Sequence, residues 1–217
     1  MQILHPFAGS IHQYSEQISH ADLDRPLRCP LCHAKCALVA HGFYSRTLVD
    51  LDFDGLIRIR RYLCRFCCRT VSLLPEFALP YLRFSITVIS RFLMARLLNR
   101  WSLKTSGEAA GQPGMPYQRG QFWIRRFRSQ AAALCASLSA LTAPVSADGF
   151  LARSLGMLVS VGWIPAHRFL FAEVRAHLLG WPRCLAPDGR PATFRHAQAR
   201  TSVRPHTICM EGEPRRD

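Results

Sequence analysis

Two cysteine pairs, Cys29-x-x-Cys32 and Cys64-x-x-Cys67, constrain the fold of this chain more than any other feature. Two residues between thiols form a tight turn that directs both sulfurs at one metal ion, and two such turns complete a tetrahedral four-sulfur shell. The 31 residues between the pairs leave room for a β-hairpin that brings the turns together. The sequence therefore predicts one structural Zn²⁺ held by these four cysteines. A shell filled by four thiolates leaves no open position for catalysis.

The sequence offers more candidate ligands near the two turns than one tetrahedral site can use. Four further metal-binding side chains lie within a few residues of the turns: Cys36, Cys68, His33 and His41. Cys32 and Cys36 also have an allowed ligand spacing, and Cys68 can replace Cys67. Only the 29/32 and 64/67 choice gives two matched turns, so His33 and His41 are interpreted as surface or hairpin residues.

Buried free thiols and disulfides are the alternatives to a metal site. Free cysteines pack as small apolar residues, and we interpret Cys135, Cys184 and Cys209 in this way because they lack partners at useful spacing. Nine cysteines is an odd number, and the N-terminal segment lacks the pattern of a secretory signal. These features favour a reducing cytoplasm over an oxidising compartment.

Between the cysteine pairs the sequence alternates as strands do. Residues 56–63 form the clearest strand, in which Ile57 and Ile59 face one side while Arg58, Arg60 and Tyr62 face the other. Asp54-Gly55 is a favourable hairpin turn, so a ribbon is expected to run out from the first cysteine pair and return to the second. The basic face of this strand, with Arg58 and Arg60, is predicted to meet solvent or phosphate.

The charge of the chain indicates an acidic partner. The formal net charge is +14, and nearly all of the positive charge is arginine. The planar guanidinium pairs bidentately with phosphate oxygens and with the O6/N7 edge of guanine. An excess of this size favours nucleic acid as the partner. The longest uncharged run, residues 129–147, is rich in alanine and serine and suits a packed helix better than a membrane span.

After a proline-containing connector, the pattern changes from strand to helix. Ser85 and Ser102 are predicted N-caps of two helices, and Pro116 is predicted to begin a third.

Three helices with a short second one match a helix-turn-helix arrangement, whose last helix enters the major groove. Helical spacing predicts that this helix turns Phe122 or Trp123, with Phe127, Leu134 and Leu138, toward the core. The predicted DNA contacts are its outward polar side chains Gln118, Arg119, Gln121, Arg125, Arg126 and Arg128. Arg125, Arg126 and Arg128 lie beyond the first turns and suit phosphates better than bases. The alternative is a solvated basic face on an ordinary helical bundle. Gly120 is unusual inside a helix, and either permits close backbone approach or marks a boundary.

Several motifs together resemble a known family. They are Cys29-Pro-x-Cys32, His41-Gly-Phe-Tyr-Ser-Arg46, Ile57-Arg-Ile-Arg-Arg-Tyr62, Cys64-x-x-Cys67-x-Arg69-Thr70 and Leu74-Pro75-x-Phe77. The run resembles bacterial zinc-ribbon proteins and transposase N-terminal regions of insertion sequences, in particular domain-of-unknown-function family 6431, over about residues 25–130. The resemblance implies a DNA-binding protein of a mobile element, with Cys29, Cys32, Cys64 and Cys67 as its metal ligands. Such sequences often have a glycine soon after the second cysteine, where this chain has His33 and Ala34.

The sequence does not favour an enzyme. A transposase needs carboxylates that hold two metal ions, and after the helical region only six acids remain: Asp148, Glu173, Asp188, Glu211, Glu213 and Asp217. His167 and His177 lack an evident nucleophile and are interpreted as structural or as phosphate contacts when protonated. We therefore expect no catalytic residues, with a separate transposase or recombinase as a further partner and no membrane partner.

The predicted fold class is α+β, with a small β zinc ribbon followed by an all-α helix-turn-helix-like domain and a helical C-terminal segment. The predicted divisions are a partly disordered lead-in (1–28), the zinc ribbon (29–80), the helical domain (81–145), an amphipathic helical segment (146–180) and a flexible tail (181–217). The predicted function is zinc-dependent DNA binding for a mobile element, in the cytoplasm at the nucleoid. One alternative is an RNA- or ribosome-associated zinc ribbon, since Phe43, Tyr44 and Tyr62 offer aromatic rings that can stack on bases. The other is a zinc-stabilised interaction scaffold.

Overall fold

The computed structural model describes residues 1–17, 25–174 and 176–180. Four strands form one mixed sheet in the order β1-β4-β3-β2, in which β1 is parallel to β4 and the other pairs are antiparallel. The strands are β1 (Gln2–His5), β2 (Leu38–Val49), β3 (Asp54–Cys64) and β4 (Thr70–Pro75). The helices are α1 (Ile11–Gln17), α2 (Ile86–Leu93), α3 (Leu103–Ala109), α4 (Tyr117–Leu138), α5 (Gly149–Val161) and α6 (Trp163–Phe169). Single π-helical turns, Met94–Leu98 and Leu170–Val174, extend α2 and α6.

The hairpin of β2 and β3 brings the two cysteine pairs together. Val49 pairs with Asp54 at the turn, and Leu38 pairs with Cys64 at the open end. The register shifts between Ala40 and Phe43, where Gly42 has a φ of 81°. Glycine adopts this conformation without steric cost, which accommodates a bulge in a long strand. The predicted strand is confirmed. The hairpin turn lies at residues 50–53, so the prediction of Asp54-Gly55 as the turn is wrong: these two residues already pair with Val49 and Leu48.

The two faces of the sheet bury different clusters. Ile57 and Ile59 are fully buried on one face and pack with Tyr14 of α1. On the other face, Tyr62 and Cys64 lie in a small core beside Cys29. The alternation read from the sequence is therefore correct, although the face predicted to be basic becomes buried toward the metal end.

The predicted architecture is wrong in its small ribbon and its separate helical domain. The sheet is four-stranded because Gln2–His5, predicted as lead-in, pairs in parallel with β4, with Gln2 opposite Ser72. A strand of four residues shows no sustained alternation, and its partner lies far away in the sequence, so local pattern could not reveal it. Part of the predicted lead-in, residues 18–24, lies outside the described residues.

The helices have a hydrophobic cluster of their own, but contacts at both of its ends join it to the sheet. Val49 of β2 packs in the helical core, its N–H donates to the carbonyl of Arg83, and its carbonyl accepts from Ser85 N–H. Arg168 of α6 donates two hydrogen bonds to Glu76, which follows β4 and is largely buried. These contacts join both ends of the helical region to the sheet. They depend on tertiary packing, which hydrophobic periodicity does not report.

The helix starts follow the local signals in the sequence. The Ser85 hydroxyl accepts a hydrogen bond from Val88 N–H at 3.1 Å, and Ser102 accepts from Thr105 N–H at 3.1 Å. Both residues are the predicted N-caps. The core face of α4 is also as predicted, with Trp123, Phe127, Leu134 and Leu138 buried.

The C-terminal helices pack on the same core. Leu155 and Leu158 of α5 and Leu170 after α6 are buried there. Within the described ranges, no single helix is long and apolar enough to cross a membrane, and one bent pair, α5 with α6 and its π-helical turn, meets the criteria by length and composition only. The predicted tail, residues 181–217 with Cys184 and Cys209, lies outside the described residues.

Gly120 allows α4 to approach α2 closely. A Cβ built at this position would lie 2.7 Å from the Phe92 ring, which is fully buried. The close-approach interpretation of this glycine is therefore confirmed. We expect Gly120→Ala to lower the free energy of unfolding by about 1–2 kcal/mol, because overpacking a buried contact outweighs the helix propensity gained.

Urea unfolding followed by circular dichroism measures this effect. Gly114→Ala is the matched control, since a Cβ there would meet nothing within 4 Å. A Gly120→Ala protein as stable as wild type would contradict the close contact.

Two buried histidines couple stability to pH. Burial lowers the pKa of His167 to about 3 and that of His177 to about 4, so neither is a phosphate contact. An unfolded histidine has a pKa near 6.5 and binds a proton well before the folded one does. The contribution of the two histidines to the free energy of unfolding is complete above about pH 6.5. It declines as the pH falls, by at most about 1.4 kcal/mol per pH unit for each histidine.

We expect His167→Leu to reduce this slope between pH 7 and pH 5. The measurement is urea unfolding at several pH values, with bound metal counted in each sample. His33→Leu, at an exposed position, is the control and should keep the wild-type slope. An unchanged slope in His167→Leu would refute the coupling.

Candidate metal centre and basic surfaces

The two cysteine turns have the same backbone geometry. In each, the first cysteine donates its N–H to the carbonyl five residues later, and its own carbonyl accepts from the N–H four residues later. The bonds are Cys29 N–H to Ala34 (3.0 Å), His33 N–H to Cys29 (2.9 Å), Cys64 N–H to Arg69 (2.9 Å) and Cys68 N–H to Cys64 (2.9 Å). The residues four positions on, His33 and Cys68, have φ values of 61° and 53°. His33 thus adopts the left-handed conformation that a glycine commonly takes.

The four sulfurs of Cys29, Cys32, Cys64 and Cys67 form one cluster. Their Sγ atoms all lie within 4.8 Å of one another. Sγ of Cys29 is 3.7 Å from that of Cys67, and Sγ of Cys32 is 3.6 Å from that of Cys64. A tetrahedron with metal–sulfur bonds of about 2.3 Å has sulfurs about 3.8 Å apart. The spacing therefore suits one tetrahedral metal ion, and these cysteines form no disulfide.

Backbone N–H groups donate hydrogen bonds to two of the sulfurs and so favour the thiolate forms that bind a cation. Leu31 N–H donates to Cys29 Sγ, and Cys67 N–H donates to Cys64 Sγ, each at 3.5 Å. Burial acts to raise the pKa of Cys64, but the amides of Cys67 and Phe66 outweigh it and lower the pKa to about 7. Burial raises the pKa of Cys67 to about 12. Four thiolates so close together need a bound cation to compensate their charge, so metal binding and ionisation are coupled.

The alternative ligands stay outside this cluster. Among the described residues, the one group that can hold a metal comprises the four cysteines alone. Cys36, Cys68, His33 and His41 are exposed and do not join it. Cys135 is buried against the helical core, as expected for a packing thiol.

Arg58 and Arg60 lie in a row that leads to the metal centre. They alternate with the buried isoleucines and share their face with Tyr62 and Cys64. Phe43 lies opposite Arg60 on β2, and the guanidinium carbons of Arg58 and Arg60 are 4.4 and 4.6 Å from its ring centroid. Arg58 is exposed and Arg60 half-buried. The aromatic ring therefore holds both guanidiniums in place by cation–π attraction.

The start of α4 carries a second basic surface. Gln118, Arg119 and Arg125 are exposed and line one shallow depression, together with Pro116 and Phe122. Phe122, which the helical pattern placed in the core as an alternative to Trp123, is half-buried and lines this depression, a role that the sequence did not predict. The i, i+4 spacing from Gln118 to Phe122 was the available signal.

The remaining predicted contacts lie on the same helix with different surroundings. Gln121 is half-buried and donates from its side-chain nitrogen to the Tyr117 hydroxyl at 3.2 Å. Arg126 lies over the Phe122 ring at 5.5 Å, and Arg128 is exposed. Arg119 and Arg125 are thus the two arginines of α4 that line the depression. Arg126 and Arg128 do not line it, and their contact with phosphate stays a prediction.

The part of the chain that contains the cysteine cluster matches a family model. Residues 29–108 match the model of the Domain of unknown function (DUF6431). The DUF6431 match agrees with the family that the sequence motifs resemble. It contains both cysteine pairs, β2 to β4, Arg58 and Arg60, and it ends within α3, so α4 lies beyond it. No curated protein and no solved structure gives a significant match to the chain.

Proposed function

We propose that this chain is a zinc-stabilised DNA-binding protein of a mobile genetic element. It has no catalytic domain of its own and acts in the cytoplasm, at the nucleoid, beside a separate transposase or recombinase. The observation that carries the proposal is the depression on α4, where Gln118, Arg119 and Arg125 are exposed side by side. Residues 109–147 contain no acidic residue. The positive charge of this segment therefore has no acidic residue nearby in the sequence to balance it.

The order of residues along α4 assigns their roles. Gln118 and Arg119 lie in its first turn and suit base edges, since amide and guanidinium groups pair bidentately with adenine and guanine. Arg125, Arg126 and Arg128 come later and suit phosphates, which fix the orientation of a protein on the duplex. The first turn of α4 thus carries side chains that suit bases, and its later turns carry side chains that suit the phosphate backbone.

The sheet supports the same proposal. Residues 25–49 and 55–75 contain nine arginine or lysine residues and no acid. Arg58 and Arg60 are already ordered over Phe43, so binding phosphate would cost them less side-chain entropy than free arginines lose. The metal centre fixes the end of the strand on which they lie.

The aromatic positions favour DNA over the RNA alternative. Single-stranded RNA is bound by stacking bases on exposed aromatic rings. Phe43 is covered by two guanidiniums, and Tyr62 is fully buried. The Tyr44 hydroxyl accepts a hydrogen bond from Gln2, and the side chain is half-buried. The three aromatic residues that favoured RNA in the sequence are thus poorly available for stacking.

Duplex affinity measured over a salt series tests the proposal. We expect zinc-loaded protein to bind a labelled mixed-sequence duplex, with log affinity falling linearly with log salt by about 0.9 for each phosphate contact. A salt-independent affinity, or tighter binding of single-stranded RNA, would refute it. Absence of any nucleic-acid binding would favour the interaction scaffold. Incubation of the duplex with Mg²⁺ should leave it uncut, whereas cleavage would contradict the absence of catalysis.

A further inference from the structure

Apolar side chains project at equivalent positions of the two cysteine turns. Leu31 and Phe66 each lie two residues after the first cysteine of their turn. Phe66 is 75% exposed and Leu31 37%, and nearby Leu27 is 80% exposed. Because the sulfurs of both turns meet in one cluster, these three residues lie at the same end of the molecule. We name them the knuckle tip.

The metal site itself does not require apolar residues at these positions. The turns are held by backbone hydrogen bonds and by backbone N–H groups that donate to the sulfurs. A polar side chain at position 31 or 66 would leave all of these bonds in place. Single exposed apolar residues are common on proteins, but three around one rigid site indicate a surface that contacts something else.

Among the residues that the structure describes, the charged side chains flanking the knuckle tip in the sequence are all basic, whereas Asp22 and Asp24, which precede Leu27, lie outside them. Exposed cations flank it in the sequence: Arg28, Lys35, Arg65 and Arg69. The acids nearest to the hairpin, Asp50, Asp52 and Asp54, lie at or beside its turn, at the opposite end from Cys64. The metal end of the sheet therefore combines apolar residues with a cationic border, which is complementary to a polyanion that also offers apolar surface.

We propose that the knuckle tip is a wedge that inserts between base pairs of duplex DNA and bends the duplex. This inference rests on the proposed function and names a second contact for it. Phenylalanine and leucine are among the side chains that proteins insert at base steps, and flanking cations neutralise the phosphates of the bent backbone. Backbone hydrogen bonds hold Leu31 and Phe66 in fixed turns, and a metal ion bound by the four cysteines would lock the two turns together, so that the wedge is rigid before it meets DNA. Arg65, next to Phe66, is positioned to contact the phosphates at the inserted step.

Energy transfer between dyes at the two ends of a roughly 30-base-pair duplex tests the wedge. We expect wild-type protein to raise transfer by bending the duplex, and Leu31→Ala/Phe66→Ala to abolish this rise, with roughly tenfold weaker binding and an unchanged salt slope. Arg65→Ala/Arg69→Ala should instead lower the magnitude of the slope by about two. Leu56→Ala/Phe150→Ala removes two exposed apolar side chains elsewhere and should bind and bend as wild type does. Bound metal is counted in every variant, so that loss of the site is recognised.

The outcomes separate this inference from the function on which it rests. If wild type binds the duplex without bending it, or if the tip variant bends it normally, the wedge is wrong and DNA binding stands. If the tip variant loses affinity for a single-stranded oligonucleotide more than for the duplex, the tip stacks on unpaired bases and the wedge is again wrong. If wild type binds no duplex, the proposed function fails as well.

Discussion

Cys64→Ser is expected to reduce bound zinc from one ion per chain to almost none. Serine does not ionise at neutral pH and cannot replace a thiolate in the shell. Cys64 ends β3, and its side chain packs with Cys29 and Tyr62 in the small core of that face. Structural zinc contributes about 10–16 kcal/mol in small peptides, so the metal end of the sheet should unfold without it.

Metal counting and tryptic digestion measure this change. The expected result is new cleavage near Arg65 and Arg69, while α2 to α4 remain protected by their own core. Cys36→Ser is the matched control, because Cys36 is exposed and outside the cluster. One zinc retained per chain in Cys64→Ser would contradict the ligand assignment.

Combined substitution of Arg119, Gln121 and Arg125 by alanine is expected to weaken duplex binding about 100-fold. A good bidentate base contact contributes about 1–3 kcal/mol, and each lost phosphate contact lowers the magnitude of the salt slope by about one. The side chains are exposed or half-buried and none lies in the core, so the fold should persist. Fluorescence anisotropy at several salt concentrations measures both quantities.

The control for this variant removes equal charge elsewhere. Arg91 and Lys104 are exposed on α2 and α3 and do not line the depression. Arg91→Ala/Lys104→Ala should lose only the weak long-range attraction that scales with net charge. Equal losses of affinity in the two variants would mean that α4 provides no specific contact and that overall charge accounts for binding.

Local features of the fold were readable from the sequence. The caps at Ser85 and Ser102 and the alternation through Ile57 and Ile59 each depend on a few neighbouring residues, and each appears in the structure where it was predicted. The cluster of four cysteines followed from the same kind of reasoning, because a two-residue turn limits where a sulfur can point.

Long-range contacts were not readable in the same way. The pairing of Gln2 with Ser72 joins distant residues, and the burial of Val49 among the helices depends on how the hairpin turn meets the connector. Neither leaves a periodic trace in the sequence. These two contacts turn a predicted ribbon and separate helical domain into a four-stranded sheet whose strand β2 reaches into the helical cluster through Val49.

Duplex binding by zinc-loaded and chelator-treated protein, with bound metal counted in the same samples, tests the central claim most directly. The account predicts one zinc per chain, salt-dependent duplex binding when zinc is present, and at least tenfold weaker binding after chelation, because the basic row on β3 ends at the metal centre. Readdition of zinc should restore the affinity. One zinc per chain together with no duplex binding, or duplex binding that is the same with and without zinc, would contradict it.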